Sequence, residues 1–283
     1  MIGGGRYSIG ERLTIALVQS LQDEIPDELI RHVGHLLVDE CHHAPAETFA
    51  RVVAQFPARH LLGLSATPYR RDGLDAVIGY FLGPITATMN EGALADRLIK
   101  PRVIKRETGL AVYGDSFTGL VSELTTDSAR NALIVADVAH AVAEGRRCLL
   151  LSDRVDHVEE LTTLLQAEGL TAAALHGQKT KRQRAQAVAD AGAGQLDVLV
   201  ATCALVGEGF DCPRLDALFL ATPISYEGRI VQYLGRVSRT APGKRDAVVY
   251  DFVDGHPILW ASWSKRACVY RAQHLSWSTL GPP

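Results

Sequence analysis

Two adjacent carboxylates, Asp39 and Glu40, directly follow the apolar run Leu36-Leu37-Val38. Such a run reads as a buried parallel strand, and ligands of open α/β sheets lie beyond the carboxyl ends of their strands. There, the first acid can hold Mg²⁺, directly or through water. The second can orient or deprotonate an attacking water, as hydrolysis of a nucleoside triphosphate requires. Downstream, Leu61–Leu64 runs into Ser65-Ala66-Thr67-Pro68, a turn whose two hydroxyls can tie the acidic pair to a moving neighbour. Later, the apolar run Val198–Ala201 leads into a loop with Thr202, Gly207, Gly209 and Asp211. Glycine lets backbone approach a phosphate, and an acid near the loop end suits a ribose hydroxyl. Finally, Arg236 and Arg239 follow Gln232 and Gly235; at i and i+3 they share one face if the segment is helical. Paired guanidinia stabilise the charge of phosphoryl transfer. Each string has a plain alternative: a solvated strand end, an ordinary turn, a basic helix face. Their joint occurrence in this order outweighs those alternatives.

Chemistry at strand ends requires strands alternating with helices, and the apolar pattern supplies them. Leu13–Val18, His35–Val38 and His60–Leu64 read as buried strands of the first half, with a helix over Pro45–Phe56. In the second half, strand Cys148–Leu151 precedes a helix marked by Val155, Val158, Leu161, Leu164 and Leu165. Strand Thr171–Leu175, a basic helix over Lys179–Ala189, and strands Asp197–Ala201, Ala217–Ala221 and Ala247–Val253 follow. The fold class expected is α/β with mainly parallel sheets. At about 150 residues per domain, 283 residues suggest two domains. The Gly-, Ser- and Thr-rich stretch Thr108–Thr126 marks the boundary, and Asp127 or Ser128 caps a helix through Ala143. The expected division is a first domain over 1–101, a connector over 102–130, a second domain over 131–255, and a tail or helix over 256–283.

Composition is that of an ordinary globular chain, with 47% hydrophobic and 22% charged residues. The net charge of −3 advertises no global field for nucleic acid, so any such contact must be local. No apolar run approaches the roughly 18 residues of a bilayer span, and the first residues lack a signal-peptide core. A cytoplasmic protein without a membrane partner is expected. The 5 cysteines form no CxxC pair and read as reduced, buried thiols. Cys41-His42-His43 beside Glu40 has no second ligand pair at zinc spacing, which disfavours a metal cluster there.

Together these strings resemble helicase superfamily two, over most of residues 12–254. Asp39-Glu40-Cys41-His42 is similar to motif II of the DExH type, Ser65-Ala66-Thr67 to motif III, Thr202–Asp211 to motif V and Gln232–Arg239 to motif VI. Weaker likenesses are Thr14–Leu21 to motif Ib, Leu149–Asp153 to motif IV, and His176-Gly177 to the element after the next strand. Arg70-Arg71-Asp72 is close to the Arg-Glu-Asp motif of the XPB-like branch and departs from it at Arg71. The resemblance implies two RecA-like domains, the first N-terminally incomplete, and an ATP- and Mg²⁺-dependent helicase or translocase. It implies Asp39 as Mg²⁺ ligand, Glu40 as catalytic base, and His42, Ser65 and Thr67 as coupling residues. Gly209 and Asp211 would touch nucleotide, and Gln232, Arg236 and Arg239 would sense its γ-phosphate. Gln19, Ser20, Arg71, His176 and Thr202 would lie on the nucleic-acid side, DNA being favoured over RNA. The basic clusters Arg102/Lys105/Arg106 and Lys179/Lys181/Arg182/Arg184 would either add attraction or be solvated faces.

One expected part is missing from these residues. A phosphate cradle of the form G-x-x-x-x-G-K-[ST] occurs nowhere. Gly5–Gly10 continues with Glu11-Arg12, and Gly177-Gln178-Lys179-Thr180 is interrupted by Gln178. The expectation is therefore a motor that is weak or inactive alone, its Walker A segment lying upstream or on another polypeptide. Apolar surface should be left partly uncovered around Leu13–Val18 and Leu36–Val38. The second reading is a non-catalytic nucleic-acid-binding or scaffolding module of helicase shape.

Overall fold

The computed structural model describes residues 1–41, 47–65, 75–88, 98–207, 211–224 and 227–282. The chain divides into two compact units, Met1–Met89 and Asn90–Pro283.

In the first unit, short strands β1 (Ile2–Gly3) and β2 (Arg6–Tyr7) form an antiparallel pair. Helix α1 (Asp27–His32) leads to the parallel pair β3 (His35–Val38) and β4 (His60–Gly63), joined through α2 (Glu47–Val53) and followed by α3 (Asp75–Leu82). Val38, Cys41, Phe49, Val53 and Ile78 bury one face of that pair. Gly63 is closely packed there: an added Cβ would stand 2.7 Å from the Leu82 side chain and 3.0 Å from Cys41 Sγ. Leu37, Leu62 and Leu64 remain exposed, as do Leu13, Ile15 and Leu17. The segment Leu13–Val18 is not the expected strand. Among the described residues it finds one partner, Ile2, which bridges to Ala16, and the chain then turns through a 3₁₀ helix at Val18–Leu21.

The second unit is built on a fully parallel seven-stranded sheet. Its strands are β5 (Arg102–Ala111), β6 (Cys148–Ser152), β7 (Ala172–Leu175), β8 (Val198–Thr202), β9 (Ala217–Leu220), β10 (Val248–Gly255) and β11 (Trp277–Leu280), in the order β11-β5-β10-β9-β6-β8-β7. Helices α4 (Phe117–Thr126), α5 (Ser128–Ala143), α6 (Val155–Ala167), α7 (Lys181–Ala193), α8 (Cys203–Gly207), α9 (Glu227–Val237) and α10 (Pro257–Ala272) accompany it. The pleat sends Cys148 and Leu150 to the face covered by α5 and α6, and Leu149 and Leu151 to the face covered by α7–α10. Burial on both faces explains why the central strands β6, β8 and β9 read as unbroken apolar runs.

Two sequence expectations are corrected here. Residues 102–130 are not a connector: they contain β5, hydrogen-bonded between β10 and β11, and helix α4, capped by the Ser116 hydroxyl. The charged residues of β5 disguised it, and Lys105, Arg106 and Glu107 among them are paired within the fold. Arg106 is buried and reaches Asp137 at 2.8 Å and the Gly281 carbonyl, while Lys105 meets Glu107 at 2.6 Å. The tail forms not only α10 but also β11.

Strand β10 carries two carboxylates, Asp251 and Asp254, each 1% exposed. The Arg266 guanidinium donates Nε–H and Nη2–H bonds to Asp251 at 2.8 Å, and the Tyr270 hydroxyl donates to the same carboxylate at 2.7 Å. Asp254 accepts from Arg130 Nε at 2.7 Å and from the Thr108 hydroxyl at 2.6 Å. Burying a charge is tolerable only when it is paired, and removing one partner typically costs about 3–5 kcal/mol. Asp251→Asn is expected to destabilise the protein by about that amount. Restoring most of the loss with Asp251→Leu combined with Arg266→Met, read by urea denaturation, would identify the orphaned Arg266 charge as its cause.

Candidate functional site

The acidic pair of the first unit stands where β3 ends. The Cys41 N–H donates to the Leu64 carbonyl at 2.9 Å and the Leu64 N–H to the Val38 carbonyl at 2.8 Å. These bonds lock the two strand ends together and bring Ser65 level with the turn at Asp39–Glu40. Asp39 is exposed, and its Oδ1 accepts from the Glu40 N–H at 2.9 Å. Glu40 is half-buried, one of its carboxylate oxygens is shut off from solvent, and its φ of 49° is left-handed. A non-glycine residue there bears a conformational cost of about 1–2 kcal/mol. Such strain gathers at functional sites. Burial pushes the neighbouring Cys41 thiol up, and Glu40 and Asp39 push it further, so it stays protonated. Gln19 and Ser20 are exposed on the 3₁₀ turn. His42, Thr67 and Arg71 lie outside the described residues.

In the second unit all strands are parallel, so their carboxyl ends share one edge of the sheet. Thr202 lies on that edge, in register with Ser152 of β6, and is buried. Gly209 lies outside the described residues. Asp211 is ion-paired with Arg239, which joins two residues selected independently from the sequence. Gln232 and Arg236 are half-buried on α9. Arg239 is not on that helix, which ends at Val237. It forms an antiparallel bridge with Leu98, and the Ile99 N–H bonds the Ser238 carbonyl at 2.7 Å, drawing the chain out of helical geometry. Lys244 Nζ donates to the Val237, Leu215 and Pro213 carbonyls, tying the helix end to the segment beyond Asp211.

His176, at the end of β7, is buried rather than displayed. Its Nε2 meets Glu159 Oε1 at 2.7 Å, and Lys179 Nζ meets the same oxygen at 2.6 Å. Lys179 and then His176 hold the Glu159 carboxyl below its usual range. Lys181 and Arg182 are exposed at the start of α7. Among the described residues no group of His, Cys, Asp and Glu is arranged to hold a metal cluster. Cys41, Cys148, Cys203 and Cys212 are buried free thiols, and Cys268 is exposed.

A buried polar chain at the same edge escaped sequence reasoning. Asn131 Nδ2 donates to the Thr125 carbonyl at 3.1 Å and to Glu160 Oε1 at 3.2 Å. Its Oδ1 therefore accepts from His157 Nε2–H at 2.9 Å. His157 Nδ1 then accepts from the Ser152 hydroxyl at 2.9 Å, and Ser152 Oγ accepts from the Arg154 N–H at 3.1 Å. The available signal was a histidine among the apolar positions of α6, beside Val158 and Leu161. Burial, assisted by the Arg130 charge, pushes His157 down from 6.5 to about 3.

Residues 130–241 match the helicase conserved C-terminal domain family, and residues 2–70 match the type III restriction enzyme, res subunit family. A probable helicase D10 of Escherichia phage T5 is 26% identical over 99% of this chain and 61% of its own length. The chain spans 44% and 55% of two further viral relatives, both named putative helicases. Among solved structures, a fragment of a putative HsdR subunit of a type I restriction enzyme from Vibrio vulnificus superposes with a TM-score of 0.64 at 19% identity, over 84% of this chain and 47% of that one. Dbp5 of S. cerevisiae, bound to RNA and ADP BeF3, gives 0.61 at 15% identity, over 97% and 68%. These structural likenesses are of fold, the RecA-like helicase domain. The sequence matches are to helicase and restriction-enzyme families and to relatives named as helicases. No helix among the described residues is long and apolar enough to cross a membrane.

The depressed His157 has a definite pH signature. Between about 6.5 and 3 the unfolded chain binds a proton that the folded chain does not, so stability falls as pH drops through that window. By pH 4.5 the loss from this residue should reach about 3 kcal/mol. His157→Gln should lack it, so urea titrations at pH 7 and 4.5 should show a smaller pH dependence in the variant.

Proposed function

We propose that this chain is the greater part of an ATP-dependent DNA helicase or translocase of the DExH type, close to the XPB-like branch. The observation that carries the reading is the turn at Asp39–Glu40. A carboxylate is held in left-handed backbone at the carboxyl end of a parallel strand, with a second acid exposed beside it and Ser65 at the neighbouring strand end. An exposed oxygen donor suits Mg²⁺, which accepts one or two carboxylates and keeps several waters. Asp39 would hold that ion, which when bound neutralises phosphate charge during transfer. Glu40 would accept the proton of the attacking water, with His42, Ser65 and Thr67 relaying the change. Arg236, Arg239 and Gln232 supply the cationic and polar groups for a γ-phosphate, and Gly209 and Asp211 those for the rest of the nucleotide. Because Asp211 pairs with Arg239, binding of nucleotide would exchange that ion pair for a phosphate contact.

On the nucleic-acid side the reading assigns Gln19, Ser20, Arg71 and Thr202, with Lys179 and the start of α7 adding positive charge. His176 serves there by holding Glu159, which in turn holds Lys179. A cytoplasmic location agrees with the reduced thiols. The residues present do not include the Gly-rich loop and lysine that cradle the β- and γ-phosphates, so hydrolysis on this reading would depend on a segment or polypeptide that supplies them. The alternative is a non-catalytic nucleic-acid-binding or scaffolding module. The retained acidic pair and arginines argue against it, since binding alone makes no use of a general base.

The purified chain is expected to bind single-stranded DNA with an affinity that falls steeply as salt rises. Its ATP turnover should stay near background, and a Walker A polypeptide supplied in trans should raise it. Glu40→Gln should then lower the restored turnover by about 10²-fold or more. Robust DNA-stimulated hydrolysis by the chain alone would refute the expected inactivity, and absent or salt-independent DNA binding would refute the motor reading.

A further inference from the structure

The chain of hydrogen bonds from Asn131 through His157 and Ser152 ends on a main-chain N–H, that of Arg154. Arg154 is the first residue after the Asp153 turn, and its carbonyl accepts the Val158 N–H that opens α6. Ser152 and Asn131 are completely buried and His157 is 2% exposed. The order serine, histidine, amide is that of a hydrolytic triad, but Ser152 is closed to solvent and its proton is committed to His157, so no nucleophile is presented. A purely structural core would be served as well by apolar side chains, since a buried polar relay must recover its own desolvation. What this relay adds is direction. Every donor and acceptor is used in one sense, with the Thr125 carbonyl and Glu160 at one end and the Asp153–Arg154 turn at the other.

That turn lies on the carboxyl edge of the sheet, at the end of β6, whose neighbour β8 ends in Thr202. Arg154 is a half-buried cation there. We infer that Asn131 and His157 are positioning residues that hold the Asp153–Arg154 turn in the conformation in which it meets a nucleic-acid backbone. The inference rests on the motor reading above and goes beyond it, because neither residue touches the edge itself. His157 remains neutral throughout the working pH range and so keeps the required tautomer, with its proton on Nε2 and Nδ1 free to accept.

The test joins amide hydrogen exchange to binding of a fluorescent single-stranded oligodeoxythymidylate by the full chain. His157→Phe keeps the volume and removes both bonds, Ser152→Ala is the milder variant should the first not fold, and His157→Gln can restore a donor and an acceptor. The expected result is faster exchange at residues 153–155, with affinity about tenfold weaker. Rescue by His157→Gln is expected, as is loss of the affinity effect in an Arg154→Ala background. Unchanged exchange, or a loss of affinity that persists in full in the Arg154→Ala background, would overturn the inference and leave the motor reading standing. Failure of the unaltered chain to bind the oligonucleotide at any salt concentration would overturn the motor reading and the inference with it.

Discussion

Two carboxylates enclosed within one strand set the terms on which helices can approach the second sheet. Asp251 and Asp254 leave β10 uncovered by water, and each must be met by a guanidinium from an element that would otherwise be free to slide. Arg266 pins α10 to one side, and Arg130 pins the start of α5 to the other while its Nη2 also bonds the Ala221 carbonyl after β9. Apolar packing alone is non-directional, whereas a two-pronged guanidinium on a carboxylate tolerates little displacement. The register of α5 is thereby tied to strand ends on the carboxyl edge. Asn131, the next residue, inherits its position from that ion pair.

Much of the fold was legible because burial on both faces leaves a plain signature. The runs at β6, β8 and β9 are nearly unbroken apolar strings, and α6 shows its buried face at helical spacing. Strand β5 was not legible, because Arg102, Lys105, Arg106 and Glu107 read as solvent-facing. Arg106 is buried by a partner 31 positions away and by the Gly281 carbonyl, contacts that no local window contains. Leu13–Val18 failed in the opposite way: it has strand composition but, among the described residues, only Ile2 to pair with. β-propensity describes fit to a neighbour more than an intrinsic preference.

The candidate site divides along the same line. Asp39 with Glu40, and Arg236 with Arg239, were found by residue type and spacing. The departure of Arg239 from α9 and its pairing with Asp211 depend on the bridge to Leu98, which spacing cannot reveal. The inward turn of His176 likewise follows from Glu159 on α6. Polar residues that act through others, such as His157, carry no motif. They are visible only as an incongruous side chain on an apolar face.

The backbone at Glu40 has an evolutionary implication. Glycine or asparagine would occupy that left-handed turn at lower conformational cost, so the residue suited to the proposed chemistry is not the one suited to the fold. Stability and activity would then pull in opposite directions at a single codon. A population released from the need for turnover, but still selected for a folded product, would tend to lose the acid there and gain thermal tolerance by doing so.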